Sequence, residues 1–296
     1  MALTLTEAAK LSNDVLLQGV IETIIYDSPV LQVLPFIEIV GNGLTYNQEN
    51  QAPAVAFYDV GDTWAESTPT FTQQTATLKI LGGDADVDNF LSKTRSNIQD
   101  LEAAIVQLKA KAVQQKFDDT FVNGDTSSDA KSFNGADKLC VSGQTASMGT
   151  DGGTLTLEKL DELIDKVKGG KPDMLLMSKR SRRKLTALSR GSSSGVLEFD
   201  RNQFGQMVQY YGGISIGVND WIADNKTVGS STDCSTIYAV CFGEGAVSGL
   251  TSPGGLQIER VGSLETKDAS RTRVKWYVSL ALFNTLRLAK LIGVRN

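Results

Sequence analysis

The chain has 296 residues, with 29 basic and 34 acidic side chains and a net charge of -5. Its 41% apolar and 21% charged content is that of a folded chain, long enough for one large domain or two ordinary ones. It contains no histidine, which excludes imidazole triads, histidine-ligated zinc or haem, and the commonest general base near neutral pH.

Residues 4–26 are predicted helical: Thr4 and Glu7 have capping-box spacing, and Leu11, Val15, Leu16, Val20 and Ile24 recur on one side. Pro29 and Pro35 then break the chain, leaving an amphipathic arm on a short extended connector. From Phe36 to Asp88 the pattern changes to short β-type stretches (Ile37–Val40, Ala54–Tyr58, Thr70–Leu81) separated by Asn42-Gly43, Pro53, Gly61 and Pro69. In the last stretch Ala76, Leu78 and Ile80 alternate with Thr75, Thr77 and Lys79. A two-stranded hairpin of this length is marginal alone in water, so either it folds onto its own domain or another chain completes it.

The clearest helix runs from Ser96 to Val122, with Ser96 and Gln99 at capping-box spacing and Asn123-Gly124 as the stop. At about 100° per residue, Ile98, Leu101, Ile105, Leu108 and Ala112 fall in a stripe roughly 80° wide, while Phe117 and Phe121 open a different face. So narrow a seam predicts a backbone element about 40 Å long laid along a sheet; an ordinary core helix is also compatible. Residues 125–155 are rich in Ser, Gly, Asp and Thr and read as loops. Thr156 caps a helix over Leu157–Val167, Gly169-Gly170 stops it, and Met174–Met177 follows as a strand.

Ser178 caps a further helix whose Lys179, Arg180, Arg182, Arg183, Lys184 and Arg190 cover one broad arc, with Leu185 and Leu188 on the other side. Gly191–Gly195 reads as a mobile loop, and Ile214–Val218 and Ile237–Phe242 as apolar strands. Finally Val274, Trp276, Val278, Leu280 and Leu282 alternate with Arg273, Lys275, Tyr277 and Ser279, the mark of a long half-buried strand. Helices and strands interleave without strict βαβ repetition, which predicts an α+β fold.

Chemical motifs are sparse. Cys140, Cys234 and Cys241 form no C-x-x-C pair and offer zinc at most three soft ligands, so no disulfide or metal is expected of them; Cys241 reads as a small buried hydrophobe. Gly191-Ser192-Ser193-Ser194-Gly195 matches a nucleophile elbow, and Ser181–Lys184 fits S-x-x-K, but the histidine base and the companion motifs are missing. Asp84, Asp86 and Asp88 would share one strand face and are weak candidates for Ca²⁺ or Mg²⁺. Asn89 and Arg95 occupy the places where a calcium loop needs Gly and Glu, so a solvated strand edge is the expected role. No phosphate loop, signal peptide or membrane-length apolar run is present, and neither enzyme activity nor a cofactor nor a membrane partner is expected. A soluble chain made in a reducing cytoplasm is the expectation. The basic helix is the one candidate nucleic-acid surface; in an acidic chain without a reading module, it is expected to be a solvated or intersubunit face with at most weak phosphate contact.

Several phrases, in order, resemble the major capsid (coat) proteins of tailed bacteriophages, the HK-ninety-seven-type fold. They are Leu81-Gly82-Gly83-Asp84 with Asp86-Val87-Asp88, Phe121-Val122-Asn123-Gly124-Asp125, Phe133-Asn134-Gly135, and Lys171-Pro172-Asp173 running through Met174-Leu175-Leu176-Met177-Ser178. Val218-Asn219-Asp220-Trp221-Ile222, Ile237-Tyr238-Ala239-Val240 and Val274-Lys275-Trp276-Tyr277 complete the set. The resemblance implies an N-terminal arm (1–36), an extended loop or β-arm laid over a neighbouring subunit (37–83), and a peripheral domain with its spine helix (84–129). An axial domain (130–256) and closing strands of the peripheral domain (257–296) would follow.

It implies a subunit that self-assembles through hexamers and pentamers into an icosahedral shell around the double-stranded DNA genome of a phage, in a virion assembled in the host cytoplasm. An encapsulin-like compartment is the alternative. Phe57, Tyr58, Trp64, Lys79, Arg180, Arg183 and Lys184 are then expected at intersubunit contacts, and Ile98, Leu101, Ile105, Leu108 and Trp276 in the spine and core. Scaffolding, portal and decoration proteins would be further partners. Lys79 and Asn284 match no cross-linking motif, and the arm beginning almost at Met1 implies a scaffold supplied in trans or none.

Overall fold

The computed structural model describes residues 28–51, 53–95, 101–191, 197–201 and 207–295. The helix expected at 4–26, Ile98 and most of the Gly191–Gly195 loop lie outside them. The described chain begins at Ser28, whose Oγ accepts the Leu31 N–H to cap α1 (Pro29–Val33) and donates to buried Asp118 at 2.6 Å. Proline opens this helix at a position whose N–H would be unpaired in any case.

β1 (Phe36–Glu38) leads to a two-stranded ribbon of β2 (Gly43–Gln51) and β3 (Thr70–Thr77), paired antiparallel from Gly43↔Thr77 to Gln51↔Thr70. Ala54–Tyr58, expected as a strand, belongs instead to the irregular tip of this ribbon. After the single residue Leu78 the chain continues as β4 (Lys79–Asp88). Asp88 Oδ1 then accepts the N–H groups of Phe90 and Leu91 at the start of α2 (Asn89–Arg95), and the long helix α3 (Leu101–Asn123) follows.

The segment expected as loops holds four short elements, α4 (Ala136–Leu139), a 3-10 turn (Ser142–Gln144), β5 (Thr145–Ser147) and β6 (Gly153–Thr154), too brief to leave a periodicity. Thr156 caps α5 (Leu157–Lys166), accepting the Lys159 N–H at 3.3 Å. β7 (Met174–Met177), α6 (Lys179–Gly191), β8 (Leu197–Arg201), β9 (Met207–Tyr211), β10 (Ile214–Val218) and β11 (Lys226–Val228) come next. The chain ends with β12 (Ser231–Val240), β13 (Val247–Thr251), β14 (Gln257–Ser263), β15 (Ala269–Leu282) and β16 (Leu288–Arg295).

Two sheets organise these elements. The first is built on β15: β4 pairs along one edge from Ala269 to Val278, while β13 and β14 follow one another along the other, with β1 parallel to β13 outside them. The predicted alternation sets one face of β15 against α3, so Trp276 lies 4.9 Å from Phe117 between ring centroids, and Phe36 wedges against both. Gly82 lets β4 come this close, since a Cβ there would sit 2.3 Å from the Val274 carbonyl oxygen.

The second sheet runs β5-β16-β12-β7-β10-β9-β8, with β6 on β16 and β11 on β12. Met174–Met177 and Cys234–Val240 are buried at every position because both faces are covered, one by Leu160, Leu163 and Leu185 of the helices and the other by the first core. The two sheets interleave along the chain, β13 belonging to the first and β16 to the second. Pairing between strands so distant in sequence leaves no local signature. All three cysteines are buried and unpaired.

A candidate intersubunit surface

The ribbon has two halves with different physics. At its root Leu44, Tyr46, Ala76 and Leu78 pack with Ile39, Leu250, Ala281 and Phe283. The Tyr46 and Phe283 rings stand 4.8 Å apart, Gln48 donates to the Leu282 carbonyl at 2.6 Å, and Lys79 donates to the Ala130 carbonyl at 2.8 Å. The root is thus held by its own molecule.

Beyond it, the tip from Pro53 to Thr70 lies almost wholly in solvent. Phe57 and Val60 are fully exposed, Val55 is 94% exposed and Trp64 77%. Polar bonds nevertheless shape the segment. Asp59 N–H donates to Asp62 Oδ2 at 2.7 Å, Ala54 N–H to Ser67 Oγ, and Ala65 N–H to the Tyr58 hydroxyl. Gly61, with φ of 95°, makes the reversal that a side chain would resist. The Tyr58 and Trp64 rings stack at 4.6 Å and 17°. The result is a platform of uncovered aromatic and aliphatic groups carrying Asp59, Asp62 and Glu66, with no cation between Pro53 and Pro69. Each large aromatic presents about 150–250 Å², so the patch reaches the size that marks an association surface.

The expected contact residues separate accordingly. Tyr58 and Trp64 stack at the tip, and Phe57, Val55 and Val60 lie exposed on the same segment; the bracketing Pro53 and Pro69 around apolar residues without alternation were the available signal. Lys79 is committed to its own chain through Ala130. Arg180 is likewise engaged internally, donating to the Asp233 carbonyl at 2.6 Å and pairing with Asp224 at 3.4 Å. Arg183 and Lys184 form no ion pair among the described residues.

On α3, Ile105 is half-buried and Leu108 is 41% exposed, so Leu108 is not a core residue of the single chain. The core face carries Val113, Phe117 and Phe121 instead; Leu101 has a backbone place in the helix, but its side chain lies outside the description. Ile105, Leu108, Lys109 and Ala112 line a groove of about 280 Å³ against Asp84–Asp86.

The aspartate row is committed to partners within the chain. Asp84 takes both Nε and Nη2 of Arg273, at 2.6 and 3.0 Å, and Asp86 takes both from Arg271, at 2.6 and 2.8 Å. The hydrogen-bonding guanidinium beside each carboxyl holds it below the usual carboxylate range. Asp88 spends an oxygen on the cap of α2. Among the described residues no group of three or more metal-ligating side chains occurs, and no helix is long and apolar enough to cross a membrane.

Comparison with known proteins gives a consistent family and fold. Residues 60–240 match the family model of the SU10 major capsid protein. No curated protein sequence matches. The fold is similar to that of the SrpI encapsulin of Synechococcus elongatus PCC 7942, with a TM-score of 0.74 at 18% identity over 99% of this chain and 96% of that one. The capsid of Myoviridae phage XM1 gives 0.65 at 13% identity over 93% and 95%, and a chain from Mycobacterium phage Bobi gives 0.67 at 13% over the full length of both. The fold is therefore the HK-ninety-seven-type α+β fold.

Proposed function

The chain belongs to the SU10 major capsid protein family, and from that premise we propose that it closes through hexamers and pentamers into an icosahedral shell around a double-stranded DNA genome. As a major capsid protein it is a shell subunit that associates with copies of itself in a virion. Its role is structural, and the work it does is burial of surface, not chemistry.

The uncovered tip carries this reading. A segment shaped by its own hydrogen bonds that leaves Phe57, Val60 and Trp64 in water gains its apolar contacts only when another subunit covers it. Phe57, Tyr58 and Trp64 are the anchors of that contact, the groove along Ile105 and Leu108 is a second surface covered on assembly, and acidic and basic rims set register. Under the same reading the first sheet with α3 forms the peripheral domain and the second sheet the axial domain around the five- and six-fold positions. Assembly takes place in the host cytoplasm, with scaffolding, portal and decoration proteins as further partners.

Sedimentation and electron microscopy of the purified full chain test the proposal. Megadalton shells, or hexamers and pentamers, are expected. The variant F57D/W64D should keep the wild-type circular dichroism and melting while its assembly weakens at least 30-fold, the scale of removing one contact worth about 2 kcal/mol. A wild-type chain that stays monomeric at high concentration refutes it. The similarity to the SrpI encapsulin across nearly the whole chain supports a second reading, a compartment around a cargo protein; a co-purifying protein in place of DNA would select it.

A further inference from the structure

Helix α6 concentrates charge in a way the rest of the chain does not. Between Lys179 and Arg190 it holds six basic residues and no acidic one, whereas the other 23 basic residues share the chain with all 34 acidic ones. Two of the six are neutralised at its first turn, Lys179 by Asp220 at 2.7 Å and Arg180 by Asp224. Arg182, Arg183, Lys184 and Arg190 have no ion-pair partner among the described residues.

Geometry sets two of these four on the outward line of the helix and the other two on its flanks, an arc of about 200°. Ser181 and Leu185 are fully buried and Leu188 packs toward the same core, which turns the opposite side of the helix outward. At about 100° per residue Arg183 and Arg190 lie within roughly 20° of each other and about 10 Å apart along the axis, with Arg182 and Lys184 flanking them. Arg183 and Arg190 are exposed; Arg182 and Lys184 are half-buried.

Between the cations this face offers only Thr186 and Ala187. A protein interface needs a desolvated aromatic or aliphatic anchor at its centre, and none is here. A duplex needs only cations at phosphate spacing, with one charge per about 1.7 Å of helix axis to meet them. We propose that the outer face of α6, through Arg182, Arg183, Lys184 and Arg190, is a sequence-independent contact for the phosphate backbone of double-stranded DNA. It rests on the shell reading only for which polyanion is at hand. The net negative charge of the whole chain keeps the contact weak and confines it to low salt.

The test uses the full chain held below its assembly concentration, checked by light scattering, with two fluorescein-labelled duplexes of unrelated sequence and salt varied from about 20 to about 200 mM. Both duplexes should bind alike, with log K falling against log salt at a slope of about -3 to -4, as four neutralised phosphates require. The variant R182A/R183A/K184A/R190A should lose at least tenfold in affinity and nearly all of that slope. The milder R183Q/R190Q, altering only the two exposed side chains, should remove about two from its magnitude. No binding at low salt, unchanged binding by both variants, or a preference for one duplex overturns the proposal. So does a quadruple variant that binds DNA normally but no longer assembles, which would make α6 an intersubunit face. Loss of shells in the wild type with DNA binding intact would defeat the shell reading alone.

Discussion

Asp84 and Asp86 face Arg273 and Arg271 directly across the β4–β15 ladder, and Arg271 also reaches Asp84 at 3.3 Å, so the pairs form one network. Asp86 is the more committed, with 6% of its side chain exposed. Because both carboxyls titrate lower in the folded chain than the unfolded value near 3.9, their contribution is fully present above that value. It disappears as pH falls through the depressed folded value, when the protonated acids release the guanidiniums. Wild-type stability to urea should therefore decline as pH falls below about 4. D86N should be less stable by about 1–2 kcal/mol at neutral pH and show a shallower acid decline; superimposable pH profiles would show the network to be idle. The sequence made the shared face of the three aspartates legible, and Arg273 was visible as an outward residue of the closing strand. What joined them was register between strands some 187 positions apart, and no local pattern encodes that.

The long helix shows how an element can be read correctly and oriented wrongly. Its Asn123-Gly124 end and its place against a sheet were legible, while the start expected at Ser96 lies outside the described residues. Two apolar stripes run along it, though, and their centres are about 140° apart at 100° per residue. The one with more Leu and Ile drew the reading, while the core took the one containing Val106, Ala110, Val113, Phe117 and Phe121, where two aromatic rings supply more volume against Trp276. Phe117→Ala should cost about 3–5 kcal/mol in chemical denaturation, as for a fully buried ring. Leu108→Ala should change the isolated chain by no more than about 0.5 kcal/mol and yet weaken assembly by sedimentation. Equal losses of monomer stability would return Leu108 to the core. Strands with both faces covered, such as β7 and β12, were legible as apolar runs, whereas the exchange of β13 and β16 between sheets was not, since it depends on contacts that only folding creates.

At the scale of the molecule, the marginal ribbon posed two alternatives, and the structure divides between them: the root folds onto its own chain and the tip does not. Composition showed that something had to cover this segment but could not show where covering stops. Replacing residues 53–69 by a two-residue Asn-Gly turn should leave the melting of the chain within about 1 kcal/mol of wild type while abolishing shells in the electron microscope. Persistent shells would mean that the tip is dispensable. The passage of β3 through Leu78 straight into β4 has a mechanical consequence. A pull on the tip enters β4 along its length, and the ten residue pairs from Lys79↔Val278 to Asp88↔Ala269 resist it together in shear instead of peeling one by one. In the proposed shell, load passed to the tip by a neighbour is thereby delivered through β4 to β15, the strand on which the whole first sheet is built.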